Sequence, residues 1–252
     1  MKRYHRLKKV EEHLRIVQKR SKGSVYLKEL IYGGVDGTIT TFAVVAGFSG
    51  ASFSNESTTQ LSFVMVLLFG LANLFADGAS MGLGNFLAVR SEKSLYSTIR
   101  AKEEKESVDN EDLEAEETKV ILMERGFSES DAQTLTSIYK KNDPYWVDFL
   151  MINEVKISDP SEENPLYTGL ATFLAFICFG FIPLIPFVAF GSFAESTAFE
   201  FSALGAGISL VLLGICKWEI IGTGLMKSVG EIVIVGSVAA SIAFLVGSFF
   251  TL

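Results

Sequence analysis

Apolar positions gather into five long stretches of the chain. Residues 30–55 hold a single charge, Asp36, and residues 61–89 a single charge, Asp77, while 166–194, 201–216 and 232–252 hold none. A helix needs about 20 apolar residues to cross a hydrocarbon core of about 30 Å, so each stretch is read as a membrane span. The fourth is short for this unless Ala198 and Phe199 extend it, and Lys217 closes it. Pro183 and Pro186 should kink or end the third near its outer end, since proline removes a helical hydrogen bond and clashes with the preceding turn. The fold class this pattern predicts is all-α: a polytopic membrane protein with five transmembrane helices.

The polar stretches have a pattern of their own. From 4 to 28, Leu7, Val10, Leu14 and Val17 recur at helical spacing among many cations, as in a basic amphipathic helix lying on an anionic membrane surface; a solvated basic helix fits as well. Residues 91–165 are dense in Glu and Lys, yet Val120, Ile121, Leu122, Leu135, Ile138 and the run 146–151 fall at helical intervals. Gly126 is placed to stop one helix, and Ser128 or Ser130 to cap the next. The expected layout is therefore a basic N-terminal helix (1–29), transmembrane helices 1 and 2 (30–90), a helical domain inserted between helices 2 and 3 (91–165), and transmembrane helices 3 to 5 (166–252).

Composition sharpens this picture. Apolar residues make up 49% of the chain and charged ones only 20%, a balance unlike that of ordinary soluble domains. The net charge of −7 conceals a basic start and an acidic middle. Cations precede the first span, Arg90 and Lys93 follow the second, and Lys217 and Lys227 lie between the fourth and fifth, whereas the loops near Asn55 and Ser192 have none. The positive-inside rule then puts the N-terminus and the insert in the cytoplasm. The first 28 residues do not match a charged region followed by an apolar core and a cleavage site, so no removable signal peptide is expected. Cys178 and Cys216 both sit in apolar runs far from any CxxC spacing, which supports neither a disulfide framework nor a zinc knuckle.

The residues that can do chemistry stand out against this background. A carboxylate within a membrane span is costly, and is by default a functional candidate. Asp36 lies in Gly33-Gly34-Val35-Asp36-Gly37-Thr38 near the cytoplasmic end of the first span, where it could also act as an interfacial cap; Asp77 lies deeper in the second, where a hydrogen-bonded structural role is the alternative. Met81 is four residues beyond Asp77, so a hard carboxylate and a soft thioether share one helix face. In the insert, Glu103 and Glu106 are three residues apart, and so are Glu114 and Glu117, which sets each pair on one helix face. Asp109 and Asn110 favour a turn between the pairs, so the two helices can fold back and gather four carboxylates, a donor set suited to Mg²⁺, Mn²⁺ or Fe²⁺. By composition alone, a solvated acidic helix is the better account. Met151 and Glu154 repeat the thioether and carboxylate pairing.

Together these segments resemble the vacuolar iron transporter family. The likeness rests on Val35-Asp36-Gly37-Thr38 with Phe42-Ala43-Val44-Val45-Ala46-Gly47, on Ala79-Ser80-Met81-Gly82-Leu83-Gly84-Asn85-Phe86-Leu87-Ala88, on Arg125-Gly126-Phe127, on Pro144-Tyr145-Trp146-Val147-Asp148-Phe149-Leu150-Met151 before Glu154, and on Pro183-Leu184-Ile185-Pro186-Phe187. The resemblance implies a homodimer with five membrane helices per subunit that exports Fe²⁺ from the cytosol, into a vacuole or out of the cell, in exchange for protons. It also implies a cytoplasmic metal-binding domain whose glutamates match Glu103, Glu106, Glu114, Glu117 and Glu154, with Met151 as the thioether, and a membrane path that uses Asp36 and Met81. That tips the glutamates from solvated helix to metal site. Two positions depart from the family pattern. Asn73 stands where many relatives resemble one another in having an acid, the nearby acid being Asp77 one turn later; Leu150 stands where some have a second methionine, which makes the site less soft and brings Mn²⁺ closer to Fe²⁺.

The expected function is thus proton-coupled movement of Fe²⁺, with Mn²⁺, Co²⁺ or Zn²⁺ in range, by a protein whose partners are membrane lipid, metal ions, protons and a second copy of itself, and not nucleic acid. The membrane is expected to be the plasma (inner) membrane in a prokaryote and the vacuolar membrane in a eukaryote. A membrane-anchored iron-binding, storage or ferroxidase-like protein is the alternative. Helical di-iron centres use Glu-x-x-His pairs, and the only histidines here, His5 and His13, lie outside the insert, so no enzyme is expected. A scaffold that binds a basic partner would have no need of acids within its spans.

Overall fold

The computed structural model describes Glu12 and residues 26–52, 59–189, 195–222 and 224–249. The expected basic helix at the N-terminus falls outside the described residues, as do the turns near Asn55 and Ser192. Every regular element among the described residues is helical. In chain order these are α1 (Leu27–Ser52), α2 (Thr59–Asp109), α3 (Glu111–Glu124), α4 (Glu129–Tyr139), α5 (Asp143–Asn153), α6 (Pro165–Gly180), a 3₁₀ turn (Ile182–Leu184), α7 (Ile185–Ala189), α8 (Glu195–Ile221) and α9 (Leu225–Phe249). They form two compact units, Met1–Phe86 with Pro165–Leu252, and Leu87–Asn164.

Five stretches of the described residues are long and apolar enough to cross a membrane: Leu27–Ser49, Phe63–Asp109, Pro165–Ala189, Thr197–Ile221 and Leu225–Phe249. The first unit is held together where small residues let backbones approach. A Cβ on Gly33 would stand 2.6 Å from the Thr172 carbonyl oxygen, one on Gly82 2.8 Å from that of Gly169, and one on Gly37 would collide with the Phe176 carbonyl. Close approach of this kind is how helices associate where lipid is as apolar as the side chains. Around these seams Val45, Val66, Leu74, Phe176, Leu184 and Phe187 form one buried cluster, and Leu210, Leu213 and Ile232 another, with Val35 and Ile39 packed against the second. Asn85 Nδ2 donates to Thr172 Oγ1 at 2.7 Å, tying α2 to α6 through a polar contact.

The prolines act where the sequence places them: α6 stops at Gly180, Pro183 lies in the 3₁₀ turn and Pro186 opens α7. The fourth span is longer than the charge-free run implied. Instead of closing at Lys217, α8 continues to Ile221 and stops where Gly222 takes a positive φ of 76°. Lys217 stays helical because its ammonium bonds the Glu231 carboxylate of α9 at 2.6 Å.

In the second unit, α2 ends at Asp109 and the chain turns at Asn110. Gly126, with φ of 98°, terminates the segment after α3, and Ser128 Oγ accepts from the Asp131 N–H at 3.2 Å to cap α4; an N-cap hydroxyl satisfies one of the four orphan N–H groups at a helix start. Pro144 occupies the first turn of α5, where its missing N–H costs nothing. Leu122, Ala132, Trp146, Val147, Leu150 and Met151 are buried, and Trp146 Nε1 donates to Thr118 Oγ1 at 2.8 Å, fixing α5 against α3.

Candidate metal centre

Three carboxylates converge in the second unit. Glu103 comes from α2, Glu114 from α3, and Glu154 caps the C-terminus of α5. One oxygen of each lies within 4.8 Å of the others. Glu103 and Glu114 are only 4% and 5% exposed, and the Oε2 atom of each is buried without a hydrogen-bond partner. Unpartnered buried carboxylate oxygens are costly. Burial foremost, then the charges of Glu117, Glu103 and Glu106, push the Glu114 carboxyl up to about 7. Burial and the four neighbouring glutamates do the same to Glu154, also to about 7, although that residue as a whole is exposed. Three oxygen donors with spare lone pairs, close together and short of positive charge, are a donor set that could hold a hard or borderline divalent cation.

The two glutamate pairs of the sequence therefore contribute unequally. From each pair one member turns into the tight group, Glu103 and Glu114. Glu106 bonds Lys102 at 3.3 Å. Glu106 and Glu117 nevertheless add to the field at Glu114 and Glu154. Lys102 is the cation that opposes them at Glu114. Met151, one turn before Glu154 on α5, is fully buried.

In the first unit, Asp36 on α1 and Asp77 on α2 are electrostatic neighbours, both partly buried. Met81 lies one turn beyond Asp77 on α2 and packs against the apolar cluster that contains Phe176. Asn73 lines a cleft with Val44 and Gly47 of α1, Ala76 of α2 and Gly247 of α9. The sequence reading missed one set of contacts around the carboxylates. Arg100 donates from Nη1 to Asp148 Oδ1 and from Nε to Glu104 Oε1, the latter at 3.1 Å. The i, i+4 spacing of Arg100 and Glu104 was visible, but Asp148, 48 residues from Arg100, gave no signal.

The VIT family matches residues 27–248. The chain is 35% identical over 232 residues to a protein of Toxoplasma gondii named vacuolar iron transporter, covering 89% of this chain and 74% of that one. It is 29% identical over 218 residues to vacuolar iron transporter 1 of Arabidopsis thaliana, covering 86% and 83%, and 29% identical over 228 residues to the vacuolar iron transporter of Plasmodium falciparum, covering 88% and 81%. With the match running from the first helix almost to the end of the last, the chain belongs to the VIT family.

Proposed function

We propose that this protein is a proton-coupled transporter that moves Fe²⁺, and with it Mn²⁺ and related divalent ions, out of the cytosol, working as a homodimer. The observation that carries the metal reading is the group Glu103, Glu114 and Glu154, two of whose carboxylates are buried with unpartnered oxygens. Family membership and five apolar helices support transport across a membrane. The cations Arg90, Lys93, Lys217 and Lys227 support a cytoplasmic second unit. On this reading Glu103, Glu114 and Glu154 capture the ion, with Glu106, Glu117 and Met151 completing or tuning the site. Asp36, Asp77 and Met81 line the passage through the membrane. Protons arriving from the far side neutralise the passage carboxylates and release the metal, because a protonated acid is a poor ligand.

The test is uptake into proteoliposomes with an imposed pH gradient, Fe²⁺ kept reduced, and Mn²⁺, Co²⁺ and Zn²⁺ run in parallel. Metal flux that collapses with the gradient is expected. Metal bound without flux would overturn the transport reading in favour of a binding or storage protein.

A further inference from the structure

Two of the three clustered carboxylates come from adjacent helices joined at Asn110, so their proximity follows from a short turn. The third does not. Glu154 caps the C-terminus of α5, about forty residues beyond Glu114, and holding it against α2 requires a tether. Trp146 ties α5 to α3 through Thr118. Among the described residues, the side-chain hydrogen bond that ties α5 to α2 is the one from Arg100 to Asp148.

The geometry around Arg100 is that of a braced guanidinium. Tyr96, Arg100 and Glu104 follow one another at intervals of four on α2. Arg100 Nη1 reaches the Tyr96 hydroxyl at 3.3 Å and Nε reaches Glu104 Oε1 at 3.1 Å, so the fork is oriented along its own helix before it meets Asp148. Guanidinium and carboxylate fit each other in plane and direction, which gives such a pair positional as well as electrostatic content. Arg100 is three residues before Glu103, and Asp148 is six before Glu154. A bond between Arg100 and Asp148 therefore sets the spacing of two helix segments one turn or two from the oxygens that must converge.

We propose that Arg100 and Asp148 form a clamp that positions Glu154 against Glu103 and Glu114, and so sets the metal affinity of the cluster without either residue touching the ion. The inference rests on the reading of those carboxylates as a metal site. Side-chain exposures of 25% and 51% put the pair among those that contribute little to global stability, so its removal should leave the fold intact.

The sign of the effect separates a clamp from a simple field. Arg100 is a cation near an anionic site. Acting through its charge alone it would oppose metal, and its loss would tighten binding; as a clamp, its loss weakens binding. The experiment is calorimetric titration of Mn²⁺ into the full-length chain in nanodiscs under chelator-treated conditions, with the electron paramagnetic resonance spectrum of bound Mn²⁺ as a readout of ligand geometry. Arg100→Gln and Asp148→Asn are each expected to weaken Mn²⁺ by about 2- to 5-fold, the most that a part-exposed ion pair can pass on, and to broaden the spectrum. The double variant should lose no more than the worse single variant, since both act through one bond. Asp148→Glu should recover much of the loss, which also decides the matter if Arg100→Gln does not fold. Unchanged or tighter binding in Arg100→Gln, or losses that multiply in the double variant, would overturn the clamp while Glu103→Gln still abolished binding. If Glu103→Gln had no effect, the metal reading itself would fail, and the clamp would have nothing to position.

Discussion

Replacing Glu114 by Gln should stabilise the second unit in the absence of metal and weaken it relative to the parent when metal is present. The carboxyl is 5% exposed and its Oε2 has no hydrogen-bond partner. It is pushed up to about 7 from an ordinary 4.5, by burial first and by Glu117, Glu103 and Glu106 next. That gap corresponds to about 3 kcal/mol. Repulsion is of the same order: the cluster's oxygens lie within 4.8 Å of one another, and two unit charges at that distance repel by about 3 kcal/mol at an effective dielectric of about 20. Because the folded-state value is raised, the native protein retains a proton that the unfolded chain has released between about pH 4.5 and pH 7. The unfolded state then binds fewer protons, so metal-free stability falls as pH rises through that window and the full penalty is present above it. Gln is neutral throughout and removes the penalty. It leaves an unpaired polar group as the protonated acid does, so the net gain should be about 2 kcal/mol at pH 8 in chelator and near zero at pH 5.

Urea unfolding of the full-length protein in detergent measures this directly. The chain has two tryptophans, Trp146 in the second unit and Trp218 in the first. A Trp218→Phe background leaves buried Trp146 as reporter of the unit that holds Glu114. Adding Mn²⁺ at about 100 times its dissociation constant should stabilise the parent by about 2.7 kcal/mol and the Gln variant far less, inverting their order. A Gln variant no more stable than its parent at pH 8 without metal, or a gain of equal size at pH 5 and pH 8, would show that the Glu114 carboxylate is well solvated or paired, and would remove the reasoning from strained acids.

Three further outcomes follow from the same structure. Mn²⁺ binding should expel protons near pH 6.5 and fewer above pH 8, since Glu114 and Glu154 both lose theirs at about 7; calorimetry in buffers of different ionisation heat reads this, and a proton count independent of pH would contradict it. Asp36→Asn should abolish metal flux in proteoliposomes while leaving Mn²⁺ binding at the Glu103, Glu114 and Glu154 cluster unchanged, because Asp36 belongs to the first unit and that cluster to the second. Gly37→Val should lower the melting temperature of the solubilised protein, at an overpacking cost of about 1–3 kcal/mol, because its Cβ would meet the Phe176 backbone. Gly84→Ala, with nothing within 4 Å, is the control that should not shift it.

Much of the fold is legible in the sequence because lipid imposes a simple rule. Charge-free runs of sufficient length announce the spans, and Asn110, Gly126 and Ser128 turn or cap where local chemistry demands. The rule fails where a charge finds a partner elsewhere: Lys217 reads as a stop, yet it is helical because Glu231, 14 residues on, accepts from it. The site is partly legible for a related reason. Spacing of three puts Glu103 with Glu106, and Glu114 with Glu117, on common faces. It cannot say which member turns inward, which here depends on the fold around them and on Lys102, which draws Glu106. The Arg100–Asp148 bond spans 48 residues and is set by tertiary packing alone.

The two groups of candidate ligands differ in a way that electrostatics explains. Three carboxylates within 4.8 Å are tolerable in the second unit, where protons with affinities near neutrality can occupy two of them until a metal arrives. The same cluster among lipid-crossing helices would add a costly ionisable group for each acid. Within the apolar runs 30–55 and 61–89 the acids come singly, Asp36 on α1 and Asp77 on α2. Two carboxylates carry the charge that one divalent ion neutralises, so an ion held between them would form a complex with no net charge, and two protons would restore neutrality once it left. On the proposed transport reading, the over-matched cluster suits capture, since its excess negative charge draws cations in. The balanced pair suits passage, since neither the loaded nor the protonated state leaves a net charge in lipid.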